Sequence, residues 1–277
     1  MSFAPRRRDR RLMDLTDPQI ERYARHLILE EIGEEGQAKL LASSVLVVGA
    51  GGLGSPLALY LAAAGVGRLG IVDDDRVELS NLQRQVLHGT ADVGRRKTDS
   101  AAEALARANP EVRVVRHDLR LDATNALDIV ADYDLVADGS DNFATRFALA
   151  DACQRAKRPL VSAAVVRFDG QLTTFKPYLG EPHPCIRCLH PEMPDEDAVP
   201  RCEQAGILGA LAGTMGALQA TEAIKELLGL GDSLSGQLLI YDALGATFRK
   251  IRLPRRQGCA GCARKPEARS QKPETRT

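Results

Sequence analysis

Residues 43–75 read SSVLVVGAGGLGSPLALYLAAAGVGRLGIVDDD, and no other stretch restricts the fold of this chain as tightly. An apolar run leads into Gly49-Ala50-Gly51-Gly52-Leu53-Gly54, a helix-like segment follows, and a second apolar run ends in three aspartates. This is the G-x-G-x-x-G pattern of a strand–turn–helix–strand unit, with an acid about twenty residues further on. Glycines allow the tight turn. The amides of Gly51, Gly52 and Gly54 and the helix N-terminus then favour a phosphate. Asp73 ends the second run, where a carboxylate can hold ribose hydroxyls. NAD and ATP both carry phosphates and an adenine ribose, so the motif does not choose between them. A tight turn with no ligand is the alternative.

The same rhythm continues. Thr16-Asp17-Pro18-Gln19 starts a helix, with a capping residue, proline in the first turn and Gln19 three places after Thr16. That helix is expected to run to about Glu31, with Ile20, Tyr23, Leu27 and Ile28 on one face. Strands are expected over 45–49, 69–73, 112–117, 134–139 and 159–165, and helices over 53–64, 95–108 and 142–157. Apolar strands alternating with helices imply a Rossmann-like α/β fold: a mostly parallel sheet with helices on both faces. After about residue 165 the pattern changes to period two, in RFDGQLTTFKP and GQLLIYDALGATFRKIRLP, so an antiparallel C-terminal extension is expected. The apolar stretch 205–220 reads as a buried helix whose Gly209, Gly213 and Gly216 permit close approach. The expected organisation is a basic arm over 1–13 that is mobile, one domain over 14–262 and a disordered tail over 263–277. Within the domain, 14–165 is the nucleotide-binding half.

Composition removes several classes of function. Thirty-seven basic residues balance thirty-seven acidic ones in 277, which argues against general nucleic-acid binding. Aromatic residues make up 4% and tryptophan is absent, so base-stacking platforms are not expected. The N-terminal arginines precede no apolar segment of a secretory signal, and no run of about eighteen apolar residues spans a membrane. A cytoplasmic protein is expected.

Six cysteines are present: Cys153, Cys185, Cys188, Cys202, Cys259 and Cys262. Four form two C-x-x-C pairs, CIRC and CAGC, each in a proline- or glycine-rich segment. Four thiolates make a closed tetrahedral zinc site, structural rather than catalytic; disulfides are the alternative. Cys153 falls mid-helix among apolar neighbours and reads as core. Cys202 is unpaired in an acidic loop, between Arg201 and Glu203 and just before a helix. Those neighbours lower a thiol pKa, although an ordinary loop cysteine reads the same way.

The segment SNLQRQ (80–85) follows the second strand, and GRRK (94–97) starts a helix. Asn81, Arg84 and Lys97 therefore stand near the carboxyl edge of the sheet, where two cations and an amide suit a triphosphate. Asp141 and Asn142 end another strand on that edge, and a carboxylate there can hold Mg2+. No G-x-S-x-G, H-E-x-x-H or P-loop motif occurs, and the five histidines form no ligand-spaced cluster. A carboxylate nucleophile attacking the α-phosphorus of ATP is already ionised at neutral pH. Such a reaction needs positioning and charge neutralisation, which these residues supply. An NAD(P)-dependent oxidoreductase and a zinc-stabilised scaffold without chemistry are the competing readings.

The segments RYARHLIL, VLVVGAGGLGSP, AGVGRLGIVDDDRVELSNLQRQ, VGRRK, GSDN, PCIRC, AGILGALAGTMGALQATEAIK and GCAGC occur in the order of the ThiF/MoeB/HesA family. This chain resembles those bacterial relatives of ubiquitin-activating enzymes over about residues 14–262. The resemblance implies ATP-dependent adenylation of the C-terminal glycine carboxylate of a small ubiquitin-like sulfur carrier ending in Gly-Gly, with release of pyrophosphate. That activation serves sulfur transfer in molybdopterin, thiamine or other pathways. It implies a nucleotide site of Gly49, Gly51, Gly52, Gly54, Asp73, Asp75, Ser80, Asn81, Gln83, Arg84, Lys97, Asp141 and Asn142. Asp73 would meet the ribose, Asn81, Arg84 and Lys97 the phosphates, and Asp141 the Mg2+. Arg25 matches an arginine contributed across a homodimer to the partner's ATP. Cys185, Cys188, Cys259 and Cys262 match zinc ligands, in a zinc- and carrier-binding half over 166–262. Cys202 matches the cysteine of a loop that passes over the carrier's tail and joins the chemistry only in some relatives. Ser140 stands where threonine is commoner. No rhodanese-like domain follows, so a separate sulfur donor, such as a cysteine desulfurase or a rhodanese, is expected.

Overall fold

The computed structural model describes residues 15–194 and 206–263. The expected arm over 1–13, the tail from 264 on and Cys202 lie outside the described residues, while Ala263, expected in the tail, ends a short helix. The central sheet has eight strands in the order β3-β2-β1-β4-β5-β6-β7-β8. Its parallel part comprises β1 (Ser44–Val48), β2 (Arg68–Val72), β3 (Arg113–His117), β4 (Leu135–Asp138) and β5 (Leu160–Val166). The antiparallel extension is β6 (Asp169–Phe175), β7 (Gln237–Asp242) and β8 (Thr247–Arg252). The segment RFDGQLTTFKP is thus the turn and second strand of a hairpin begun by β5, whereas the second segment forms a hairpin by itself.

Alternation along β1 explains the layers. Val45 and Val47 face one core with α2 (Gly33–Ala42), α3 (Gly54–Ala63), α4 (Lys97–Ala108) and α8 (Gly209–Leu228). Leu46 and Val48 face the other core, with α5 (Ala126–Ala131), α6 (Phe143–Ala156) and α7 (Ile186–Leu189). All five β1 residues are buried, as expected of a strand covered on both faces. A short α9 (Ala260–Ala263) ends the described chain.

The first helix differs from the expectation. α1 (Asp17–Leu27) has the capping box at Thr16 and Gln19, but it stops four residues before Glu31. A turn follows, and Gly33, at φ +55°, opens α2. Of the expected face only Tyr23 is buried; Ile20 and Ile28 are exposed. Tyr23 fills the space over Gly65 and accepts a hydrogen bond from Asn109 Nδ2, so one aromatic anchor replaces an apolar stripe. In α8, Gly216 packs against Leu53 and Pro56 and Gly209 against Gln83, as close approach requires, whereas Gly213 faces open space.

Candidate nucleotide site and cysteine cluster

The chain runs outward from β1 to β2 and β3, then crosses back to β4 on the other side of β1. Such a reversal leaves a crevice beyond the carboxyl ends of the strands, where ligands bind in open α/β sheets. A cavity of about 600 Å³ lies there, within the range of small-molecule sites. Val48, Gly49, Gly51 and Gly52 of the glycine turn line it, with Asp73, Asp74 and Asp75 after β2 and Gly139 to Asn142 after β4. Gly49 sits at φ +90°, and a Cβ there would stand 2.9 Å from the carbonyl oxygen of Gly139. A Cβ on Gly54 would overlap the Gly49 carbonyl oxygen. Gly54 therefore serves close strand–helix packing and does not itself line the cavity.

Asp73 organises the turn. Its Oδ2 accepts from Ala50 N–H at 2.8 Å, and its Oδ1 accepts from Asp75 N–H at 2.9 Å. Burial raises its pKa above the usual carboxylate range, against the opposing pull of Lys97. Lys97, 6% exposed at the start of α4, holds its ammonium 2.8 Å from Asp75 and 3.8 Å from Asp73. This cation bridges Asp73 and Asp75 and offsets part of the charge gathered at the end of β2. Arg84 lines the cavity, its Nη1 donating to Ser80 O at 3.0 Å, and its stem lies along Gly52. Asp141 is exposed at the mouth, and Asn142 Oδ1 caps α6 by accepting from Thr145 N–H at 2.9 Å.

The structure brings Gly49, Gly51, Gly52, Asp73, Asp75, Arg84, Lys97, Asp141 and Asn142 to one cavity, but not every sequence candidate. Asn81 is buried, and its Oδ1 accepts from Glu78 N–H at 3.1 Å. Ser80 donates to the Glu78 carboxylate at 3.3 Å, and Gln83 is exposed away from the wall. Asn81 and Ser80 shape the turn that presents Arg84, each accepting from it at 3.0 Å through a backbone carbonyl. Arg25 is exposed on α1 and does not line the cavity of its own chain.

Among the residues that sequence reading missed here, four stand out. Gln85, rather than Gln83, lines the cavity; it is 4% exposed, and its Oε1 has no hydrogen-bond partner. That oxygen is free to accept from a water or a ligand in the cavity. Asp138, fully buried at the end of β4, accepts from Ser140 N–H at 3.0 Å, Ser140 Oγ at 2.6 Å and Ser162 Oγ at 2.8 Å. Arg146 stands 3.5 Å from Asp138 and donates to the carbonyls of Ser140 and Ala163, which fixes the Ser140–Asn142 wall. His190, which follows the first C-x-x-C pair, lines the far end of the cavity against Phe143. The only sequence signal for Asp138 and Arg146 is their position, one ending a strand and the other on the first turns of a helix.

Cys185, Cys188, Cys259 and Cys262 converge. Their sulfurs lie within 4.8 Å of one another, with Cys185–Cys259 at 3.6 Å, Cys188–Cys262 at 3.4 Å and Cys185–Cys188 at 3.9 Å. Four sulfurs about 2.3 Å from one tetrahedral zinc are separated by about 3.8 Å, so the cluster fits that ion. The distances exceed a disulfide bond by far. The Arg256 N–H points at Cys188 Sγ from 3.4 Å, and Gln154 Nε2 donates to Gly261 O at 2.9 Å. Those bonds tie the C-terminal pair to α6 and the first pair. Cys153 is separate, fully buried and pushed up in pKa by that burial.

Comparison with known proteins gives a consistent picture. The ThiF family profile matches residues 23–261. The chain is 50% identical over 259 residues to the sulfur carrier protein adenylyltransferase of Thermus thermophilus, covering 93% of this chain and 96% of that one. It is 49% identical over 250 residues to the SAMP-activating enzyme E1 of Haloferax volcanii, covering 90% and 91%. It is 54% identical over 253 residues, 91% of this chain, to the adenylyltransferase and sulfurtransferase MOCS3 of Bos taurus. There the chain spans only about half of the relative, 55% of its length. Among solved structures, Escherichia coli MccB with MccA-N7isoASN superposes with a TM-score of 0.76 at 23% identity, covering 91% of this chain and 76% of that one. At that identity the likeness concerns the fold.

Proposed function

The chain belongs to the ThiF family, and from that premise we propose that it adenylates the C-terminal glycine carboxylate of a small ubiquitin-like sulfur carrier at the expense of ATP. One observation carries the reading: a single cavity holds a glycine turn suited to phosphate, carboxylates at the end of β2, the cations Arg84 and Lys97 and an exposed carboxylate, Asp141. Asp73 and Asp75 take the ribose side, and Arg84 and Lys97 neutralise the phosphates. Asp141 and Asn142 would hold Mg2+, which supplies charge neutralisation on the phosphate oxygens. The carrier's carboxylate oxygen attacks the α-phosphorus while the bond to the bridging oxygen breaks, and pyrophosphate leaves with the electron pair. The nucleophile is already ionised, so no general base is needed. Stabilisation of developing charge and alignment of the two reactants are the whole task.

Asn81 and Ser80 support Arg84 in this scheme, and Gln85 meets the phosphates. The nucleotide-binding half is 14–165, and 166–262 receives the carrier and zinc. Cys185, Cys188, Cys259 and Cys262 would hold that zinc, which acts as a structural clamp. The sulfur that replaces the adenylate comes from a donor outside residues 14–262, and Cys202, by its match to the family motif, is assigned to the loop over the carrier's tail. The proposed assembly is a homodimer in which Arg25, exposed on α1, reaches the partner's nucleotide. Among the described residues no helix is long and apolar enough to cross a membrane; a four-thiolate metal site in place of disulfides suits the cytoplasmic setting of this proposal.

The test is carrier-dependent exchange of labelled pyrophosphate into ATP, with candidate carriers of the molybdopterin and thiamine types weighed before and after incubation. An adenylate mass gain on one carrier identifies the partner. Asp141→Ala and Lys97→Met are expected to slow exchange about 10²- to 10³-fold, the scale of losing one charge-stabilising group. Undiminished exchange in Asp141→Ala would overturn its assignment, and no adenylate on any carrier ending in Gly-Gly would overturn the activity.

A further inference from the structure

His88 lies outside every nucleotide-contacting motif of the sequence, yet it is bonded directly to the glycine turn. It is 7% exposed, with Nε2 2.9 Å from the carbonyl oxygen of Ala50 and Nδ1 2.8 Å from Ser100 Oγ. A carbonyl oxygen only accepts, so Nε2 carries the proton and Nδ1 receives the Ser100 hydroxyl. Burial holds the imidazole below its ordinary pKa against the Ala50 bond, with Lys97 adding to the lowering and Asp73 and Asp92 opposing it. The ring therefore stays neutral at neutral pH.

The Ala50 carbonyl and the Gly51 N–H belong to one planar trans peptide and point in opposite directions. Anchoring the carbonyl inward on His88 consequently turns the Gly51 N–H outward. Gly51 lines the cavity, and among the described residues its N–H donates to no protein acceptor. The Ala50 N–H is held separately by Asp73 at 2.8 Å. Gly51 has no side chain to resist rotation of that peptide; Ser55 Oγ reaches the same carbonyl only at 3.5 Å, so the 2.9 Å bond from His88 is its principal anchor. Ser100 stands three residues after Lys97 on α4, so the same ring also ties the glycine turn to the helix that carries the buried cation.

We propose that His88 is a positioning residue of the nucleotide site: through the Ala50 carbonyl it aims the Gly51 N–H at the nucleotide's phosphates, and through Ser100 it sets the distance between that turn and Lys97. The inference rests on the ATP reading above. Its experiment is calorimetric titration of the intact protein with ATP, alongside thermal unfolding, for wild type, His88→Phe, His88→Gln and Ser100→Ala. His88→Phe keeps a ring but removes the donor, and ATP is expected to bind roughly tenfold more weakly, the effect of one misdirected hydrogen bond. His88→Gln retains an N–H near the Nε2 position and is expected to bind within about threefold of wild type. The KM for the carrier is expected to stay unchanged in both, since the turn lies at the nucleotide end.

A wild type that does not bind ATP would sink the functional reading itself. A wild type that binds while His88→Phe binds equally tightly would overturn the positioning role alone. The same holds if His88→Gln proves as weak as His88→Phe. Where His88→Phe does not fold, Ser100→Ala decides: a loss of about threefold supports the role, and unchanged affinity overturns it.

Discussion

Removing the carboxylate of Asp138 tests how the cavity wall is built. In Asp138→Ala, Ser140 loses both bonds it donates to Oδ1, at 3.0 and 2.6 Å, Ser162 loses one at 2.8 Å, and Arg146 loses a counter-charge at 3.5 Å. The Asp138 side chain is 1% exposed and that of Arg146 13%, so water replaces little of this. Deleting one member of a buried ion pair costs about 3–5 kcal/mol. Arg146 keeps the carbonyls of Ser140 and Ala163 as acceptors, which places the cost near the lower end, about 3 kcal/mol. For a chain of this size that lowers Tm by roughly 6–12 °C. Asp138→Asn retains one acceptor for Ser140, and the Ser162 hydroxyl can turn to accept from the new amide. Only the charge on Arg146 is then uncompensated, and about 1–2 kcal/mol is expected. Urea titration and calorimetry of the three proteins measure both values. Asp138→Ala within about 1 kcal/mol of wild type, or Asp138→Asn as damaging as alanine, would refute the network as the support of the Ser140–Asn142 wall.

Three further outcomes are expected. Cys188→Ser removes one sulfur of four; bound metal should fall from about one zinc per chain to none, with a lowered Tm, measured by elemental analysis and thermal unfolding. Gly216→Ala would set a methyl 2.5 Å from Leu53 O and cost about 1–3 kcal/mol, whereas Gly213→Ala, facing open space, should raise stability by about 0.5–1 kcal/mol. Burial lowers the pKa of His88 and His117 below the ordinary 6.5. The unfolded chain then binds more protons than the folded one below about 6.5, so stability is full above that pH and is lost as pH falls through the lowered values. Urea midpoints at pH 7.5 and 5.5 measure this, and His88→Gln should flatten the slope.

Much of the fold is legible locally. The βαβ unit over 44–72 follows from an apolar run, a glycine turn that only glycine can make at φ +90°, and a second apolar run. Each is a property of neighbours in sequence. α2 escaped because the α1 pattern looked continuous; one buried tyrosine, not a stripe, fixes α1. Gln83 and Gln85 exchanged places because a single 3-10 turn over Leu79–Asn81 decides which of two glutamines points inward.

Backbone periodicity and residue chemistry therefore determined, from the sequence alone, the class of sheet, the glycine turn, the acid at the end of β2 and two metal-gripping cysteine pairs. Tertiary structure decided which of these meet. It closed pairs 74 residues apart into one tetrahedron of sulfur. It also brought Lys97 between two aspartates and buried Asp138 against Arg146. Those outcomes depend on distances between segments remote in the chain, which burial and charge pairing set only once the sheet and its two layers have formed.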